Sequence, residues 1–186
     1  LVVKKDVNYS ITNLGGILFA KNLHDFKSLE RKIVRVVQYS GNNKIKTILD
    51  EEFTQGYAVG FTSLVKFIND LLPRNEVIGD SLREEVRMYP QLAIRELVAN
   101  SIIHQDFSVS GTATLIEIYN DRIEFSNPGK PLIDPIRFID EYRSRNEKLA
   151  SLMRRMKICE EKGSGVDKVV FQCEFYQLPA PYFVSS

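Results

Sequence analysis

Apolar and polar positions alternate along this chain with two different periods, and the changes of period divide it into short strands and amphipathic helices. Residues 12–21 are an apolar run that predicts a short helix; its adjacent Gly15 and Gly16 either admit another backbone closely or weaken the helix. Residues 31–39 set Ile33, Arg35 and Val37 against Val34 and Val36 and are rich in β-branched side chains, which predicts a strand. The cluster Ser40-Gly-Asn-Asn43 is a turn, and residues 44–49 predict the partner strand. Residues 56–72 carry Val59, Leu64, Phe67, Ile68 and Leu71 at helical spacing and stop at Pro73. Residues 77–89 read as extended, and a helix opens at Pro90 or Gln91. The clearest hairpin is 112–125, with strands around Leu115–Tyr119 and Arg122–Phe125 and a turn at Asn120-Asp121. Asn146 stands where it can cap a helix running to about Met156. A last helix runs from Val166 to about Gln177 and is expected to end before Pro179. The sum is α+β: an antiparallel-dominated sheet with helices largely on one face. A soft boundary near 74–79 separates an N-terminal α/β extension, 1–75, from a second unit, 76–186, the two packed as one body.

Composition narrows the function classes. With 186 residues, 44% hydrophobic and 26% charged, the chain has the make-up of an ordinary globular domain. Its 25 basic and 24 acidic residues leave a net charge of +1, so no global attraction to nucleic acid or membrane follows. Cys159 and Cys173, with only His24 and His104 beside them, do not make a zinc site, and a reducing, cytoplasmic setting is the expectation. No apolar run is long enough to span a bilayer. The chain opens at Leu1 without Met and ends in Pro-Ala-Pro-Tyr-Phe-Val-Ser-Ser, which suggests a piece of a longer protein.

Candidate chemistry centres on the run Arg95-Glu-Leu-Val-Ala-Asn-Ser-Ile-Ile-His104. Glu-x-x-x-Asn on a helix puts the Glu96 carboxylate and the Asn100 amide one turn apart on one side. That side is otherwise lined by Leu92, Ala93, Leu97, Ala99 and Ile103, while Gln91, Arg95, Ser101 and Gln105 are expected to point away. A carboxylate in an apolar sector is costly unless paired or put to use. A carboxylate that activates water and an amide oxygen that holds magnesium form one such use; two polar residues satisfied by neighbouring backbone form another. His104 lies one turn further along the stripe, as a capping group or a ligand contact. Ser126-Asn-Pro-Gly-Lys-Pro131 follows the hairpin, a turn in its own right and a place where Asn127 could face a base and Gly129 let it near the backbone. Gly163-Ser164-Gly165 opens the last helix, either as a flexible entry or as backbone N–H groups offered to phosphate. Arg143, Arg145, Lys148, Arg154, Arg155 and Lys157 form a basic stretch that could touch phosphates of a nucleotide or of DNA, and that reads first as a solvated face. No Gly-x-x-x-x-Gly-Lys-Ser/Thr occurs, so the chain is not a P-loop helicase, and no Gly-x-Ser-x-Gly marks a hydrolase.

The order of these elements carries a resemblance. A Glu-x-x-x-Asn helix, a hairpin, Asn-x-Gly, then Gly-Ser-Gly before a helix resembles the GHKL ATPase fold of gyrase, MutL and the sensor histidine kinases. Residues 93–107, 118–129, Arg145-Asn146 and 160–167 together are similar to the C-terminal GHKL-like domain of RecG-like transcriptional regulators, which carry a Schlafen/AlbA-type domain in front and often a winged helix behind. The resemblance runs from Thr12 to about Pro179. It implies a GHKL (Bergerat)-like two-layer sandwich with an N-terminal α/β extension. It implies ATP and magnesium as cofactors, Glu96 as general base and Asn100 as the magnesium ligand. Asn127 and Gly129 would stand at the base, and Gly163, Ser164 and Gly165 at the phosphates. The function implied is that of a nucleotide-responsive regulatory domain of a DNA-binding transcriptional regulator, with DNA held by flanking domains, a homodimer as the assembly and no membrane. A degenerate scaffold for dimerisation, and a slow DNA-linked ATPase, are the alternatives. Two positions depart from the family pattern: Asn127 replaces the charged base-reading Asp, and Pro131 replaces a glycine and removes a backbone donor.

Overall fold

A computed structural model of the chain describes residues 1–5, 8–78, 83–159 and 164–185, and the backbone alone at 5, 75–78 and 83–86. Strands β1 (Val2–Lys5) and β2 (Asn8–Ile11) form an antiparallel hairpin. Thr12 then accepts the Gly15 amide on its hydroxyl at 3.1 Å and caps helix α1 (Asn13–Phe19), as the first apolar run predicts. Gly15 is required there by a close approach, since a Cβ would overlap the carbonyl oxygen of Leu1.

The central sheet has the order β4-β3-β7-β8, built from β3 (Val34–Tyr39), β4 (Thr47–Phe53), β7 (Thr114–Ile118) and β8 (Ile123–Ser126). Between β4 and β7 the chain forms α2 (Tyr57–Leu71), the hairpin β5 (Arg74–Ile78) with β6 (Arg83–Arg87), and α3 (Gln91–Ile103). After β8 come α4 (Glu147–Arg155) and α5 (Gly165–Phe175). The β3/β4 and β7/β8 pairs are antiparallel, while β3 and β7 pair in parallel from Val34 opposite Thr114 to Gln38 opposite Ile118. Strands from either side of residue 75 thus share one sheet. A mixed α+β architecture results.

One face of this sheet carries the main core. Val34, Val36, Ile116 and Ile118 pack with Leu64, Ile68, Ile94, Val98, Ile102, Leu149 and Met153, all buried. Each such aliphatic side chain contributes about 1.5–3 kcal/mol on leaving water. The opposite face holds a smaller cluster of Val37, Tyr39 and Tyr119, with the two tyrosine rings stacked at 5.0 Å. Buried Glu117 accepts hydrogen bonds there from Tyr39 Oη at 2.9 Å and Lys44 Nζ at 2.8 Å.

Several sequence expectations shift by a few residues. The partner of β3 spans Thr47–Phe53 rather than 44–49. Residues 44–46 lie in the connecting loop because Gly41 turns at φ +125 and the pairing slips between Gln38 and Tyr39. Ile45, left outside the sheet, is 88% exposed. The extended stretch begins at Arg74, not Val77, and residues 79–82 lie outside the described residues. The last helix ends at Phe175, four residues before Pro179. Gln177 at φ +56 closes it, and the Leu178 amide donates to the Cys173 carbonyl at 2.8 Å. Among the described residues, no helix is long and apolar enough to cross a membrane.

Candidate functional site

Helix α3 is the axis of the site. It begins after Pro90, whose carbonyl accepts the Ile94 amide at 3.1 Å, and ends at His104, whose amide donates to the Asn100 carbonyl at 2.9 Å. Its sequence gives a weak apolar stripe because the helix is buried on several sides at once, between the sheet, α2 and α5. This corrects the expectation for Ser101 and Gln105, which are 5% and 0% exposed. The Ser101 hydroxyl donates to the Val98 carbonyl at 2.8 Å. The Gln105 amide donates to Tyr57 Oη at 2.8 Å and to the Ile102 carbonyl at 2.9 Å. Tyr57 Oη in turn donates to the Lys32 carbonyl at 2.5 Å, and burial holds the Tyr57 hydroxyl well above the usual tyrosine range.

Glu96 is 4% exposed, and Asn100, one turn along, is half-buried. One turn of α-helix separates the two by about 6 Å along the axis. The first residue of α5, Gly165, lies directly against the carboxylate. A Cβ at Gly165 would overlap Glu96 Oε1 and lie 3.0 Å from its carboxyl carbon. The N-terminus of α5, with its partial positive charge, therefore meets a buried carboxylate. Ser164 precedes it as a half-buried residue in helical conformation, and Gly163 lies outside the described residues. Cys159 is the third group here: burial, and then the charge of Glu96, pushes its thiol up to about 11. Arg95, on the outer side of α3, donates through Nη2 to the Lys157 carbonyl and so ties α3 to the segment after α4.

The other loop of the site meets the opposite end of α3. Asn127 is half-buried at the end of β8, Pro128 is buried, and Gly129 turns at φ +103. The Asp106 amide donates to the Pro128 carbonyl at 2.7 Å. A Cβ at Gly129 would overlap that of Asp106 and lie 2.8 Å from Arg145 Nη1, so glycine is demanded by both the dihedral and the space. Arg145 pairs with Asp106 Oδ2 at 3.2 Å and donates to the Lys130 carbonyl at 2.8 Å. Beside it, the Asn146 amide donates to the carbonyls of Ile103 at 2.8 Å and Gln105 at 2.7 Å. Asn146 thus precedes α4 as expected, but its side chain caps no amide of that helix and serves the partly buried carbonyls at the end of α3 instead.

Charges around this end are arranged with care. Lys32 is 4% exposed, and its Nζ donates to the carbonyls of Val109 at 2.6 Å and Asp106 at 3.3 Å. Burial lowers its pKa, and Asp106 works in the other direction. The Asp106 carboxyl is held below the usual carboxylate range by the Ser108 hydroxyl and amide first, and then by Arg145 and Lys32. The His104 ring lies edge-on to Tyr142, with centroids 6.1 Å apart; burial and then the Arg145 charge hold it below the ordinary value of 6.5.

Two of the sequence candidates therefore lie against α3 or the segment that leaves it: Gly165 at Glu96 within the helix, and Gly129 at Asp106, three residues past its end. Asn100 stands between these positions in the chain, and its side chain makes none of the hydrogen bonds among the described residues. From the sequence, Asp106 and Arg145-Asn146 enter only through the family resemblance and without a site role, Arg145 also falling in the basic stretch, while Lys32 and Cys159 have no part in the expected site. The signal available was the adjacency of Arg145 to Asn146 in a turn before a helix. Among the described residues, no cluster of three or more His, Cys, Asp or Glu is suited to hold a metal by itself.

Comparison with known proteins agrees with this architecture. Residues 111–186 match the family model described as "Putative ATP-dependent DNA helicase recG C-terminal". The match starts after α3, so Glu96 and Asn100 lie upstream of it. Among solved structures, the chain is similar to the DIP2311 protein from Corynebacterium diphtheriae, with a TM-score of 0.72 and 21% identity over 90% of this chain. That match spans 36% of the DIP2311 chain, about a third of its length. No curated protein matches.

Proposed function

We propose that this RecG-like HATPase-type domain binds a magnesium nucleoside triphosphate along α3 and reports its presence to DNA-binding parts of a transcriptional regulator. The observation that carries the reading is the contact of Gly165 with Glu96: a helix N-terminus and a buried carboxylate meet at one point. Phosphate oxygens favour the first, and an attacking water would be deprotonated by the second. The residues fit such a ligand. Asn100 offers an amide oxygen to magnesium one turn from Glu96, the start of α5 at Ser164 and Gly165 offers backbone amides, and the Asn127–Gly129 loop closes the far end of the same helix. Bound ATP-Mg would supply a phosphoryl group open to attack by water.

The residues of this chain then have separate duties. Glu96 would take the proton from water, Asn100 would hold the metal, and Asn127 would meet the base with a neutral amide. A neutral Asn127 and a stiff Pro131 would hold adenine less firmly than a carboxylate and a glycine, so turnover is expected to be slow or undetectable. DNA contacts come from flanking parts of a cytoplasmic, homodimeric protein, with this domain setting their disposition. A scaffold without nucleotide is the second reading, supported by the loss of a donor at Pro131. The test is Glu96→Gln, assayed for nucleotide affinity and for phosphate release. Retained affinity with turnover lost supports Glu96 as base. Equal turnover in variant and wild type removes it from the mechanism.

A further inference from the structure

The side chains of Arg145 and Asn146 make four polar links in a small volume, and all of them converge on the junction between the end of α3 and the Asn127–Gly129 loop. Asn146 holds the carbonyls of Ile103 and Gln105. Arg145 holds the Asp106 carboxylate with one nitrogen and the Lys130 carbonyl with the other. Asp106 then donates its amide to the Pro128 carbonyl, and its own carbonyl accepts from Lys32. Among the described residues, no other hydrogen bond joins the loop to α3, and Gly129 has no side chain with which to hold itself in place. The Arg145 side chain is 25% exposed and that of Asp106 23%, so the pair is shielded enough to be directional. The planar, forked guanidinium is what allows one residue to grip two elements.

We propose that Arg145 is the positioning residue for the nucleobase side of the site, fixing the Asn127–Gly129 loop against α3 through Asp106 and Lys130. This rests on the nucleotide reading given above. Arg145 does not touch ligand; it sets where Asn127 stands relative to Asn100. Its loss loosens the grip on the base and sugar while leaving the phosphate end, at Gly165 and Glu96, as it was. The same segment leads directly into α4, so a base that shifts the loop also pulls on that helix.

The experiment uses Arg145→Gln, Arg145→Lys and Asp106→Asn in the chain as it stands, with two readouts. The first needs no nucleotide: hydrogen exchange at the Asp106 amide, which reports its bond to Pro128, against the amides of β7. Arg145→Gln is expected to speed exchange at Asp106 by about tenfold, the order that loss of a charge-assisted hydrogen bond gives, with β7 unchanged. The second is binding of ATP against inorganic tripolyphosphate, both with magnesium. Arg145→Gln and Asp106→Asn are expected to weaken ATP by about tenfold and to leave tripolyphosphate unaltered, with Arg145→Lys falling between. Unchanged Asp106 exchange, or a rise spread equally through β7, overturns the lock. Parallel weakening of ATP and tripolyphosphate overturns the assignment to the base side. If the wild type binds neither, the nucleotide reading fails and the base-side role with it, while the exchange readout still decides whether Arg145 locks the loop.

Discussion

Gly165 and Glu96 touch so closely that any side chain at 165 would occupy the space of the Glu96 carboxylate. The pair joins two helices distant in sequence, α3 and α5, at the point where the chemistry is proposed. Glycine is a poor opening residue for a helix by propensity alone, so its presence there answers to the neighbour and not to the helix.

Gly165→Ala therefore separates two effects of opposite sign. Alanine should favour the helix by up to about 1 kcal/mol. Overlap with a carboxylate that is only 4% exposed should cost about 1–3 kcal/mol. The overlap wins, and the melting temperature is expected to fall. A rise would mean that Glu96 swings aside freely and that the two helices are not locked together here.

Asn146→Ser distinguishes two roles for one residue. Serine caps a helix about as well as asparagine, so a capping role predicts little change. In the structure the Asn146 amide instead holds the carbonyls of Ile103 and Gln105, which serine is too short to reach. Losing two bonds at a partly buried helix end should cost about 1–3 kcal/mol. Chemical denaturation measures it, and an unchanged midpoint would return Asn146 to the role of a cap for α4.

These two cases show how far the sequence was legible. Periodicity located α1, α2, α3, the 112–125 hairpin, α4 and α5, because each buries one face with a regular spacing. It misplaced β4 because an edge strand buries little: residues 44–49 alternate, but the register is set by the Gly41 turn and the slip at Gln38, which are pairing events between strands. It misread Ser101 and Gln105 because a helix packed on several sides has no solvent face to reveal. The Glu96/Asn100 spacing was readable because both residues sit on one helix. The Asp106–Arg145–Lys130 link was not, since it joins residues far apart in the chain, and Arg145 sits in a run of basic residues where pairing leaves no trace.

His104 gives a dependence on pH. Its folded pKa lies below 6.5, from burial and then the Arg145 charge. Its contribution to stability is present above the unfolded value of 6.5 and is lost as pH falls from there toward the folded pKa. Denaturant midpoints of wild type against His104→Gln should diverge least at pH 5 and most at pH 7. Parallel curves would show that His104 meets the same environment folded and unfolded.

Lys32 supports the Asp106 end from below. Its buried ammonium joins the carbonyls of Asp106 and Val109. Lys32→Met should leave the Val109 carbonyl without its donor and cost about 1–3 kcal/mol in unfolding free energy. It should also speed hydrogen exchange at Asp106 and its neighbours. No change in either would mean that segment 106–109 holds its shape by packing alone.

The most direct test of the nucleotide reading is calorimetric titration of wild type and Asn100→Ala with a non-hydrolysable ATP analogue, with and without magnesium. Weak binding that needs magnesium in wild type and disappears in the equally stable Asn100→Ala is the expected result. No heat at millimolar analogue in wild type, or binding in Asn100→Ala equal to wild type, would contradict the account and leave this domain a scaffold.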